Sequence, residues 1–87
     1  MNVYYDRAAT LRVIPRPEQI VNGRVTYANT VYDGTLAGAV KRFMAIPKDD
    51  YLDASIGFDV GVIEGNTTGL IGPTEIREIY AREDFPD

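Results

Sequence analysis

Three aspartates near the middle of the chain, Asp49, Asp50 and Asp53, are the residues whose type and spacing best suit chemistry. Carboxylates this close can share a divalent ion, and the string Asp49-Asp50-Tyr51-Leu52-Asp53 has the form that grips magnesium against a diphosphate.

In this the string resembles the motif of prenyl-diphosphate enzymes, and the resemblance implies a large all-helical cavity, which 87 residues rich in strand signals cannot build. The expected state of these aspartates is a solvated acidic turn following Pro47. Residues 53–64 also have the length of a calcium-binding loop, with acids at its first and last positions. The pattern fails inside, because Gly57 and Phe58 stand where a ligand and the turn glycine belong.

Absent residue types exclude more chemistry than these aspartates offer. The chain has no Cys, which removes disulfides, thiolate zinc sites, iron–sulfur ligation and cysteine nucleophiles. It has no His, which removes the usual general acid or base at neutral pH, most zinc catalysis and the Ser-His-Asp triad. Serine occurs once, at Ser55. No glycine-rich phosphate loop is present, so nucleotide binding has no support. The expectation is a protein that is not an enzyme and carries no cofactor and no metal. Catalysis by carboxylates with a bound metal is the competing class.

Charge is divided unevenly along the chain. Residues 1–48 hold seven basic side chains against three acidic ones, a net of +4, and residues 49–87 hold two against ten, a net of −8. Two surfaces of opposite sign would suit charge-matched docking with a partner or with another copy. Alternatively, a compact fold interleaves the halves and cancels the field. The basic half also carries Tyr4, Tyr5, Tyr27 and Tyr32, and aromatics beside arginines can stack on single-stranded nucleic acid. The whole chain is acidic, with a net charge of −4, and nucleic-acid binding is disfavoured. The ten acids after Lys48 instead allow a small acidic inhibitor or DNA mimic of phage or mobile-element type.

The elements that would position these groups read as a single small α+β domain over residues 1–87. Residues 2–5 and 10–14 are short runs of β-branched and aromatic residues joined by Asp6-Arg7-Ala8-Ala9. Pro15 and Pro17 stop regular pairing. Asn22-Gly23 between apolar runs predicts a two-residue hairpin turn, with Ile20, Val25 and Tyr27 on one face. Residues 35–46 place Leu36, Val40, Phe43 and Met44 on one helical stripe, with Asp33 or Thr35 as cap and Pro47 as stop. Gly38 costs that helix about 1 kcal/mol relative to Ala, and the small residues around it would let the helix lie close to a sheet. Residues 54–62 alternate, with Ile56, Phe58, Val60 and Val62 expected to be buried together against Leu36, Val40 and Phe43. The odd positions of that strand are nearly bare of side chains and open to close approach. A polar turn over residues 65–69 leads to a second helix over residues 73–83, opened by Pro73 and Glu75. The predicted sheet is small, mixed or antiparallel.

A domain this small closes a modest core, so further stability is expected from surface buried against another subunit. No stretch reaches the length of a bilayer span, and a cytoplasmic location, or one within a larger particle, is expected. The leading expectation is a protein–protein interaction module or a small structural subunit. Its interaction surface would draw on Arg16, Arg24, Tyr27, Tyr32, Asp49, Asp50 and Asp53. Another protein or another copy would be the partner, with no nucleic acid and no membrane.

Overall fold

The computed structural model describes residues 2–15 and 29–86. Four strands form one antiparallel sheet: β1 (Ala8–Pro15), β2 (Asn29–Thr35), β3 (Tyr51–Phe58) and β4 (Leu70–Ile71), in the order β2-β1-β3-β4. Helix α1 (Leu36–Met44) follows β2, and helix α2 (Pro73–Tyr80) closes the chain. This is the α+β architecture that the sequence predicts. The Asn22-Gly23 hairpin lies outside the described residues.

Both helices cover the same face of the sheet. The period-2 alternation of β1 turns Ala9, Leu11 and Val13 inward, where they meet Ala54 and Ile56 of β3 and Ile71 of β4. Leu36, Ala39, Val40 and Phe43 of α1, with Ile76 and Ile79 of α2, complete a single core. The strand order sets the two sequence halves side by side in one sheet over a shared core: β2 and β1 of the basic half form one side, β3 and β4 of the acidic half the other, and they join where β1 pairs with β3.

Helix α1 starts where the sequence places it. The Thr35 hydroxyl accepts a hydrogen bond from the Gly38 N–H at 3.1 Å, so Thr35 and not Asp33 is the cap. Two further free N–H groups, of Leu36 and Ala37, donate to the carbonyls of Arg7 and Tyr5. Gly38 is explained by packing, because a Cβ there would run into the Tyr32 ring, which lies across this turn of the helix. In α2 the Glu75 carboxylate accepts from the Gly72 N–H at 3.2 Å, and Pro73 fills the first helical position, which has no N–H to satisfy.

Three expectations are corrected. The strand expected to run to Val62 stops at Phe58, where the Val62 N–H donates to the Asp59 carbonyl and the chain turns. Val60 is consequently 65% exposed, whereas Val62 is still buried. Residues 2–5 make only an isolated bridge, Val3 to Ile63, because the loop after β3 offers them no long partner. Finally, β2 was not anticipated: its sequence, NTVYDGT, is mostly polar, and only pairing with β1 makes it a strand. Among the described residues, no helix is long and apolar enough to cross a membrane.

Candidate docking surface

The face of the sheet opposite the helices is uncovered among the described residues. Register fixes what it carries, since paired residues share a face: Thr10 pairs with Asp33 and Gly57, Arg12 with Thr30 and Ser55, and Gly57 with Leu70. Of these, Thr10, Arg12, Asp33, Ser55, Gly57 and Leu70, together with Asp59, line a shallow recess of about 360 Å³. The recess exists because Ser55, Gly57 and Ala8 have little or no side chain. Its floor is backbone and methyl groups, and Leu70, 53% exposed, stands at its edge. A Cβ on Gly57 would make only ordinary contacts, so among the described residues nothing presses on that position of β3.

Charges of both signs stand in this recess. Arg12 comes from the basic half, Asp59 from the acidic half, and Asp33 lies across β1, where it accepts a hydrogen bond from the Thr10 hydroxyl at 3.1 Å. Among the described residues, the Arg12 guanidinium has neither a hydrogen-bond partner nor an ion pair. The arrangement can hold charged groups of either sign.

The residues singled out from sequence do not gather here. Arg16, Arg24 and Tyr27 lie outside the described residues. Tyr32 is half-buried on the helix side of the sheet, where its ring lies against Gly34 and Gly38. Asp49 and Asp50 are exposed in a short 3-10 turn, Lys48–Asp50, as the solvated acidic turn predicts. Asp53, paired with Ile14, is exposed on the same uncovered face two positions from Ser55 but outside the recess, with its carboxylate accepting from the Ala54 N–H at 2.8 Å. Among the described residues, no three acidic side chains converge to hold a metal ion. Sequence reasoning missed Thr10, Arg12, Asp33, Ser55 and Leu70 as a set. The alternation of residues 8–15 marks Thr10 and Arg12 as outward-facing, but no local signal places Asp33 or Ser55 beside them.

The tyrosines are mostly structural. Tyr51 is buried against Phe43, with ring centroids 5.2 Å apart, and its hydroxyl accepts from Arg77, whose guanidinium lies over the Phe43 ring. Tyr5 ties the start of the chain to its end: its hydroxyl donates to Asp84 at 2.7 Å, and its ring meets Phe85 edge-on at 5.4 Å. Arg82 grips the same carboxylate with two nitrogens, at 2.9 and 3.1 Å, and holds the Asp84 pKa down to about 2. Burial, then the hydrogen bond to Asp84, raises the Tyr5 pKa.

Comparison with protein-family models, curated proteins and solved structures finds no match for this chain.

Proposed function

We propose that this protein is a small, non-enzymatic structural subunit that assembles with copies of itself through the uncovered sheet face. The observation that carries the reading is the charge pattern of that face. A two-fold contact must be self-complementary, which for a charged surface requires both signs. Arg12 and, toward the other end of the recess, Asp33 and Asp59 meet that condition, because turning one copy over another would set each guanidinium toward the other's carboxylates. The shallow, small-residue floor lets two sheets approach, and Leu70 supplies an apolar contact at the edge. Size favours the same reading, since a chain of 87 residues gains most from surface buried between subunits. The role fits a protein of the cytoplasm or of a larger particle.

Sedimentation equilibrium tests this. The parent should show a dimer mass at about 0.1 M salt that dissociates as the Debye length falls to about 3 Å near 1 M salt. Arg12→Glu should be monomeric at low salt. A parent chain that stays monomeric across the accessible concentration range would refute the proposal.

A further inference from the structure

A second recess, of about 510 Å³, lies between α2 and residues 63–66. Its floor is the outer edge of the core, where Ile63, Ile71 and Ile79 are each only 4–5% exposed, and its rim carries the carboxylates of Glu64, Glu75 and Glu78. Among the described residues the rim's one cation is Arg82, which is already committed to Asp84 and Tyr5. Glu75 caps α2. Among the described residues, the Glu64 and Glu78 carboxylates are engaged in no hydrogen bond or ion pair. The surface is thus an aliphatic floor under negative charge, sharing with the uncovered sheet face only β4, which gives Ile71 to this recess and Leu70 to the other.

We infer that this recess docks a basic segment of a partner protein, which lays an aliphatic side chain over the isoleucines while flanking lysines or arginines meet Glu64 and Glu78. Charge complementarity fixes the sign of the occupant, and the floor fixes its apolar residue. A bare cation does not suit the rim, because no three acidic side chains among the described residues converge on a point. Long basic side chains reach separated carboxylates individually. This chain's own basic helix is a poorer occupant: Lys41 lies over the Phe85 ring and shares a recess with Glu83, and Lys48 is followed by Asp49 and Asp50. The inference goes beyond the self-assembly proposed above and concerns a different surface and a different partner.

The test is an NMR titration of the full-length isotope-labelled chain with a synthetic amphipathic peptide of leucine and lysine, about 12 residues long. Two counterparts serve as controls, one with every Leu replaced by Ser and one with every Lys replaced by Glu. Saturable binding is expected, with shifts confined to residues 63–66, 71 and 75–82. It should be lost with the Lys→Glu peptide and much weakened with the Leu→Ser peptide. Glu64→Lys combined with Glu78→Lys should weaken binding roughly tenfold or more, since each reversal replaces an attraction by a repulsion. Glu78→Gln alone, which leaves the helix surface intact, should weaken it about threefold. Absence of saturable binding, shifts centred elsewhere, or variants that bind like the parent would overturn the inference. So would a concentration-dependent dimer that the double reversal abolishes, since another copy would then fill the recess. Arg12→Glu should leave peptide binding unchanged, so each surface can fail without the other.

Discussion

Ile56 and Val60 stand four residues apart in one alternating run, yet the fold puts them in opposite environments, and substituting each by alanine separates the two readings of this segment. Ile56 is fully buried, paired with Leu11 and Ile71 across the sheet and enclosed beneath both helices. Ile56→Ala removes aliphatic volume from the middle of the core, where the surroundings cannot collapse without moving three strands. A cost of about 2 to 5 kcal/mol is expected. At about 4 to 8 °C per kcal/mol for a domain of this length, the melting temperature should fall by roughly 10 °C or considerably more. Val60 is 65% exposed, and Val60→Ala should change stability by no more than about 0.5 kcal/mol. Urea denaturation followed by far-UV circular dichroism, with both variants fitted at the parent's slope, measures the two costs directly. If Val60→Ala were as costly as Ile56→Ala, β3 would have to continue to Val62, and the turn at residues 59–62 would be wrong.

Gly38→Ala should destabilise the protein even though alanine is the better helix former by about 1 kcal/mol, because the new methyl displaces the Tyr32 ring. In a Tyr32→Ala background the same substitution should become stabilising, and a double-mutant cycle by chemical denaturation checks the change of sign. Gly69 has φ +70° and its Cβ position lies 2.5 Å from the Phe58 carbonyl, so Gly69→Val should weaken the β3–β4 pairing and lower the thermal midpoint. Asp84 has a depressed pKa of about 2 against an ordinary 3.8, so its contribution is present above the ordinary value and is lost as pH falls toward 2. Hydrogen-exchange protection at residues 3–5, measured against the intrinsic rate at each pH, should fall over that window, and Asp84→Asn should show the lower protection already at neutral pH.

Much of the architecture is legible in the sequence, for reasons visible in individual residues. Pro73 and Glu75 announce α2, Thr35 and Pro47 bracket α1, and the alternation of Leu11 and Val13 with Thr10 and Arg12 marks β1. These signals are local and need no partner to be read. The end of β3 is different. Alternation alone continues through Val60, and only the turn closed by the Asp59 carbonyl and the docking of Val62 beside Ile63 break it. Strand β2 is invisible for a related reason, since Tyr32 is its principal core-facing side chain and finds its place only when Gly34 and Gly38 clear room for it. The candidate docking surface is the least legible feature. Thr10, Arg12, Asp33, Ser55 and Leu70 come from four strands, and their grouping is a product of strand order.

Isotope-filtered NMR on a mixture of labelled and unlabelled protein at low salt shows whether copies of this chain meet through the uncovered sheet face. Intermolecular contacts are predicted between the Leu70 methyls and the methyls of Thr10 and Ala8, and they should vanish in Arg12→Glu. Contacts confined to other surfaces, or none at a concentration where the mass is that of a dimer, would contradict the account.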